Sequence, residues 1–269
     1  MKRAVIHALL IAGAIATIIP LAWMVSASLM PQGEATHFPP RLIPSRITFA
    51  HYQTLFTNLN LGRAFLNSLF VAVVATLLSL LINSMSGYAF AKLRFRGRDR
   101  LFTFLVAALG IPAQVAMLPL FLFLKSLGLV NTYVGVLIPY IATIYGVFLV
   151  RQFMLSIPDD LLAAARIDGA SEWRIYWSVV LPTARPVLAT LAIFTFMSAW
   201  NDFMWPLIIL TDDEKYTLPV AVANLGGEHF PDLELMMASA VLTILPVLAL
   251  FFVLQKQYIA GMMAGSVKE

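Results

Sequence analysis

Residues 157–182, IPDDLLAAARIDGASEWRIYWSVVLP, form a polar, helix-forming stretch between two long apolar runs. Pro158 suits a first helical turn, where its missing N–H costs nothing, and Asp159 and Asp160 complement the positive end of a helix dipole. The helix so started runs through Leu161, Leu162 and the small residues Ala163, Ala164 and Ala165, and stops near Gly169, which tolerates the left-handed conformation of a helix end. Ser171 then caps a second helix in which Trp173, Tyr176, Trp177 and Val180 recur at helical spacing. That spacing predicts one aromatic face suited to a membrane interface, until Pro182 ends the helix. Three alanines followed by Asp168, Gly169 and Ala170 favour close approach to another protein, because small side chains let a helix enter a groove. An amphipathic loop lying on the bilayer has the same periodicity, so spacing alone leaves both readings open.

The rest of the chain is far more apolar than this stretch. Of 269 residues, 60% are hydrophobic and 12% charged, and the mean hydropathy is +0.85, which excludes a soluble globular class. The polar segments are too short and scattered to bury a separate core, so a single membrane domain over 1–269 is expected. No cysteine is present, hence no disulfide framework and no thiolate metal site. The net charge of +4 sits at the edges of apolar runs and forms no basic stripe, which argues against nucleic acid as a partner.

Crossing hydrocarbon takes about 20 helical residues with every lipid-exposed backbone group paired, so the long apolar runs read as helices. Six are expected, over about 5–28, 64–89, 101–124, 134–150, 187–210 and 236–254, with a cytoplasmic loop over about 151–186 and a tail over 255–269. The first resembles a signal peptide in its Lys2-Arg3 start, but its apolar run exceeds a signal core and five spans follow, so an uncleaved helix is expected. An N-terminus in the cytoplasm places Lys2, Arg3, Lys92, Arg94, Arg96, Arg98, Arg100, Arg151, Arg166, Arg174, Arg185, Lys256 and Lys268 inside. Arg41, Arg46, Arg63, Lys125 and Lys215 fall outside, so the positive-inside rule puts both termini in the cytoplasm. Segments 31–63 and 211–234 read as external loops, and the second, with Asp212, Asp213, Glu214, Glu228, Asp232 and Glu234, as a solvated acidic one, with a docking surface for a partner as the alternative.

Here the spacing of the opening stretch acquires a precedent. Ala163-Ala164-Ala165, then Gly169, then Val179, then Leu181-Pro182 resembles the cytoplasmic EAA loop of binding-protein-dependent ABC importer permeases. That pattern is Glu-Ala-Ala, three residues, Gly, nine residues, Ile, one residue, Leu-Pro, and every interval is kept. Trp200-Asn201-Asp202-Phe203 with Pro206-Leu207, Thr217-Leu218-Pro219 and the tail QKQYIAGMMAGSVKE resemble the sugar-importer branch, similar to the second permease subunit of maltose-type systems. The family's Glu is Ala163 here, so its polar contact is absent or supplied by Asp168, Glu172 or another group.

The resemblance implies an all-α type I importer permease in a bacterial or archaeal plasma membrane. It implies a second permease subunit, in a heterodimer or a homodimer, a cytoplasmic ATPase dimer carrying ATP and Mg, and an external solute-binding protein that delivers a carbohydrate. On that reading Ala163, Ala164, Ala165, Asp168, Gly169, Ala170, Leu181 and Pro182 couple to the ATPase, and the tail, with Gln257, Gly261 and Gly265, reaches the ATPase interface. No cofactor and no chemistry belong to the chain itself: it has no Gly-Lys-Ser or Gly-Lys-Thr phosphate loop. His7, His37, His51 and His229 lack metal-ligand spacing and an obvious carboxylate partner, so no metal site is expected.

Polar groups inside spans are costly and normally face a cavity or a neighbouring helix. Asp202, with Trp200, Asn201 and Trp205, presents aromatic planes beside amide and carboxylate groups, as a sugar's faces and hydroxyls require. The competing reading makes the tryptophans interfacial anchors and ties Asn201 and Asp202 to neighbouring helices or external water. Gln114 follows Gly110 and Pro112, where a broken helix frees carbonyls to line a path, and Tyr140 and Tyr145 are further candidates for that path. Asn83, Ser84, Ser86 and Gly87 read as helix-packing groups. A phosphorylated polyol or other non-sugar solute is an alternative cargo, and a self-sufficient secondary carrier or a membrane scaffold an alternative class.

Overall fold

The computed structural model describes residues 2–39, 41–57, 59–228 and 232–266, with the backbone alone for 2–4, 225–228, 254 and 256–266. His229 and Lys268 lie outside the described residues. The described residues are mostly helical and contain no strand. They divide into two compact units, Met1–Phe65 with Leu218–Leu248, and Leu66–Thr217 with Ala249–Glu269.

In chain order the helices are α1 Lys2–Ala27, α2 Ala50–Thr57, α3 Leu61–Lys92, α4 Arg98–Ala107, α5 Ala113–Ser126, α6 Tyr133–Ile141 and α7 Ile144–Leu155. They continue as α8 Asp159–Ile167, α9 Glu172–Ile175, α10 Leu181–Thr183, α11 Arg185–Asn201, α12 Met204–Ile209, α13 Leu218–Glu228 and α14 Leu233–Ser266. Among the described residues, four stretches are long and apolar enough to cross a membrane: Val5–Ala27, Leu61–Lys92, Tyr133–Leu155 and Leu233–Val253. Two bent pairs raise the number to six. The chain is a multi-pass membrane protein.

The third expected span is sharply broken: Arg98–Gly110 and Ala113–Ser126 meet at 106°. Pro112 cannot donate to a helix ladder, and Ile111 and Pro112 are extended, with ψ of 118° and 132°. Thr132 and Thr143 cap α6 and α7 by accepting the N–H of Gly135 and of Gly146, both at 3.1 Å. The fifth expected span is likewise two pieces, because α11 ends at Asn201 and α12 starts only at Met204.

In the unit that starts at Leu66, α3 packs on α7 through two glycines. A Cβ on Gly87 would sit 2.7 Å from Val150 Cγ1 and 3.0 Å from the Arg151 nitrogen, and one on Gly146 would sit 2.8 Å from the Asn83 amide. Asn83 donates to Ser79 Oγ at 2.7 Å, Ser79 shares a hydrogen bond of 3.2 Å with Thr195 on α11, and Ser84 shares one of 2.7 Å with Tyr176. These are helix contacts of the kind small and amide side chains make between apolar helices. Gly87→Ala should therefore overpack the α3–α7 seam and cost about 1–3 kcal/mol. A thermal midpoint of the purified chain equal to that of the wild type would show that the helices do not approach so closely.

In the other unit, Ala27, Met30 and Ala35 form a small core with Trp23, Leu233 and Met237. Segments 31–63 and 211–234 were expected as loops, yet they contain α2 and α13. The apolar run LPVAVANL, with Pro219 in a first turn, is sufficient to start α13. Glu234 is not solvated: it is 1% exposed, opens α14, and accepts the N–H of Ala35 at 2.7 Å. Asp232 accepts the N–H of Leu235 at 2.9 Å as the cap of the same helix. His51, expected without a carboxylate neighbour, is buried, with Nε2 2.9 Å from the Met30 carbonyl and Nδ1 3.9 Å from Asp232.

Candidate functional site

The opening stretch folds as an exposed knuckle of two short helices. Pro158 occupies the N-cap position rather than the first turn, and α8 follows with Asp159 and Asp160 at its positive end. Gly169, at φ +80°, closes the helix. Its N–H donates to the Arg166 carbonyl and the Ala170 N–H to the Ala165 carbonyl, each at 3.0 Å, which is the paired bonding of a Schellman stop. Ser171 caps α9 by accepting the Arg174 N–H at 3.3 Å.

One side of the knuckle is sunk into a core and the other is left bare. Ile157, Leu162, Ile175, Tyr176 and Val180 are buried with Tyr88, Val150 and Met154, and Ala165, Ala170, Val179 and Leu181 pack against that cluster. Ala163, Ala164, Asp168, Gly169 and Pro182 are exposed, and Ile167 is 86% exposed at the tip. Positions 163, 164, 167 and 168 share one helical face, so the alanines flank a protruding isoleucine.

The expected single aromatic face is corrected. Tyr176 and Val180 point into the core while Trp173 and Trp177 remain 60% and 52% exposed. A π turn over Tyr176–Val180 links α9 to α10, and the helical path continues through Pro182 to Thr183 before bending by 79° into α11. Burying Tyr176 beside Tyr88, at 5.7 Å between ring centroids, accounts for the split.

Two groups of α3 that spacing did not single out, Lys92 and Tyr88, hold the knuckle to that helix. Lys92 Nζ donates to the Ile157 carbonyl and to Asp159 Oδ1, both at 2.6 Å, and its presence lowers the Asp159 carboxyl below its ordinary value. Tyr88 Oη donates to Glu172 Oε2 at 2.6 Å, and Arg166 Nε donates to Glu172 Oε1 at 2.7 Å. The Arg166 bond first, then the Tyr88 bond, hold the Glu172 carboxyl below the usual glutamate range. Glu172 is thus engaged within the chain, whereas Asp168 stays exposed. The one sequence signal was the four-residue step from Tyr88 to Lys92, which puts both on one face of the end of α3.

Because its folded value is depressed, Glu172 stabilises the fold above the ordinary glutamate value of about 4.3, and that contribution is lost as pH falls through the depressed value. Glu172→Gln should therefore lower the thermal midpoint at neutral pH, by the equivalent of about 1 kcal/mol for a half-exposed ion pair, and the two proteins should converge in acid. A gap that widens in acid would contradict the clamp.

The candidates for a solute path divide. Tyr140 Oη donates to Asp202 Oδ2, Asp202 Oδ1 accepts the Trp205 N–H at 3.3 Å, and Trp205 Nε1 donates to the Gly135 carbonyl at 3.1 Å. Asp202 thereby joins the gap between α11 and α12 to α6. Trp205 is 2% exposed; Trp200 is fully buried and stacked on Phe196 at 5.9 Å and 6°. Neither tryptophan is an exposed anchor. Asn201 is exposed and donates to the Met197 carbonyl at 2.9 Å, and Gln114 is exposed just past the break before α5. Tyr145 is 45% exposed with its ring edge-on to Phe194. No group of three or more His, Cys, Asp or Glu that could hold a metal exists among the described residues. Gln257, Gly261 and Gly265 fall in the helical backbone of α14.

Against known proteins, the family described as binding-protein-dependent transport system inner membrane component matches residues 83–263. The arabinooligosaccharides transport system permease protein AraQ of Halalkalibacterium halodurans is 38% identical over 254 residues, 93% of this chain and 91% of its own. The diacetylchitobiose uptake system permease protein NgcG of Streptomyces coelicolor is 36% identical over 99% of this chain and 87% of its own. Among solved structures, a bacterial ABC transporter that imports the acidic polysaccharide alginate superposes with a TM-score of 0.86 at 26% identity, covering 96% of both chains. The chain belongs to the family of inner-membrane permease components of binding-protein-dependent transport systems, and its fold is that of a type I ABC importer permease.

Proposed function

We propose that this chain is one permease subunit of an ATP-driven importer whose cargo is a carbohydrate. The knuckle at 157–182 docks on a separate cytoplasmic ATPase that carries ATP and Mg, a second permease subunit completes the pathway, and an external binding protein delivers the solute. The observation that carries this reading is the shape of the knuckle: an exposed face of Ala163, Ala164, Ile167 and Asp168 on a helix clamped from behind by Lys92 and the Tyr88–Glu172–Arg166 bonds. A clamped lever transmits movement of a partner into the spans, where a loose one would absorb it. The names of the relatives, which concern arabinooligosaccharides, diacetylchitobiose and alginate, support a carbohydrate cargo.

Orientation follows from charge: the excess of Lys and Arg on the loops that carry the knuckle puts it and both termini in the cytoplasm. The whole chain then acts as one permease domain. Asp202, with Tyr140 and Trp205, fixes the shape of the gap after α11, and exposed Asn201 and Gln114, with buried Trp200, are the remaining candidates for the path. Gln257, Gly261 and Gly265 are the tail positions assigned to the ATPase interface.

The test is reconstitution with the products of the reading frames beside its own. Labelled oligosaccharide should enter proteoliposomes only when ATP, the ATPase, both permeases and the binding protein are present. Uptake by this chain alone on an ion gradient would overturn the reading in favour of a carrier.

A further inference from the structure

We propose that residues 94–100 form a binding site for an anionic phospholipid of the cytoplasmic leaflet, a proposal that rests on the cytoplasmic placement of this loop. The positive-inside rule accounts for the number of cations here but not for how they are used. Of the basic groups in this region, Lys92 is spent on Ile157 and Asp159, Arg98 on Asp99 at 2.9 Å and the Leu93 carbonyl, and Arg151 on the Phe102 ring at 3.8 Å and the Phe90 carbonyl. Arg94, Arg96 and Arg100 are exposed and make no hydrogen bond or ion pair among the described residues, although Arg94 acts on the charge of Asp159 from a distance. Gly97, at φ +87°, reverses the chain so that both arms of the loop line one groove of about 740 Å³.

Phe95 belongs to the lining of the groove, and further exposed apolar side chains follow it along the chain. Phe95 is 41% exposed, Leu101 55% and Phe104 78%, and Leu101 and Phe104 share a face of α4. Guanidinium groups bind phosphate oxygens through paired N–H bonds, and the ledge beyond them suits an acyl chain. The only carboxylate in the groove, Asp99, is neutralised by Arg98, which holds its pKa below the ordinary value. Position agrees: the loop lies between the end of α3 at Lys92 and the apolar run that begins at Leu101, so spans built from these helices would carry it at the bilayer surface. A soluble phosphate would have no use for Phe95, Leu101 and Phe104. A phospholipid uses both halves.

The purified full-length chain, analysed by native mass spectrometry with added phosphatidylglycerol or phosphatidylcholine, tests this. The wild type should retain phosphatidylglycerol preferentially. Each of Arg94→Gln, Arg96→Gln and Arg100→Gln should weaken that preference by roughly fivefold, as expected for one cation at an anionic surface. The single variants keep the comparison informative where a triple variant fails to fold. Excess inorganic phosphate should leave the lipid bound. Equal retention of the two lipids by the wild type, an unchanged preference in all three variants, or displacement by inorganic phosphate would each overturn the site. Failure of the underlying orientation reads out separately: a cysteine in place of Arg96, in a chain with no other, should be labelled by an impermeant reagent from the cytoplasmic side alone. Labelling from outside would refute the placement whatever the lipid result.

Discussion

Gly169→Trp should leave membrane insertion intact and abolish solute-stimulated ATPase activity in the assembled complex. A Cβ at Gly169 meets nothing within 4 Å and the turn is exposed, so crowding at the backbone is not the source of the effect. It comes from conformation and from docking. At φ +80° any other residue is strained, by roughly 1–2 kcal/mol. That strain opposes the stop which sets the angle between α8 and α9, and on the proposed docking an indole at the exposed turn also fills the space the ATPase would enter. Gly169→Ala separates the two contributions. It carries the strain without the bulk and should reduce coupling by roughly five- to thirtyfold, the factor that strain represents. Full coupling in the tryptophan variant, measured as stimulation of the assembled complex by loaded binding protein, would count heavily against docking through this turn.

Ile167→Asp should have the second large effect. An aliphatic side chain 86% exposed at the tip of a clamped helix contributes little to the fold of the isolated chain. If it enters a cleft on the ATPase, its burial stabilises the complex by about 1.5–3 kcal/mol. A carboxylate in its place loses that and adds a desolvation cost, so affinity for the ATPase should fall by roughly ten- to a hundredfold or more, while the thermal midpoint of the free chain falls only by the small cost of an acid at a helix C-terminus, roughly 0.3–1 kcal/mol. Ile167→Leu should retain binding. A fall in the midpoint without loss of affinity would show that Ile167 serves the fold.

How much of this was legible in the sequence follows from the range of the interactions concerned. The knuckle was legible because its determinants are local: Asp159 and Asp160 at the start of a helix, Gly169 at its stop and Ser171 at the next cap each act within a few residues. The break before α5 was legible for the same reason, from Gly110 and Pro112. The clamp was not, because Lys92 reaches Asp159 across 67 residues and Tyr88 reaches Glu172 across 84. Helical spacing also grouped Trp173, Tyr176, Trp177 and Val180, but the packing of Tyr176 on Tyr88 leaves the two tryptophans outside the core, a contact between distant residues that a periodicity argument does not see.

Acidic composition misled at 211–234. Glu234 counts as one more charge in a loop until Ala35, 199 residues away in the chain, donates its N–H to it. Trp200, Asn201, Asp202 and Trp205 read as one cluster because they are neighbours in sequence. In the structure Trp205 and Asp202 turn to Gly135 and Tyr140, Trp200 stacks on Phe196, and Asn201 faces outward.

The claim that the knuckle is the mechanical link is tested most directly by trapping its partner. The chain contains no cysteine, so Asp168→Cys supplies a single thiol on the exposed turn for a crosslinker of short reach. A covalent adduct with the ATPase is expected in membranes of cells carrying the whole system, together with loss of uptake while the crosslink is in place. No adduct at this position under conditions where uptake proceeds normally would contradict it.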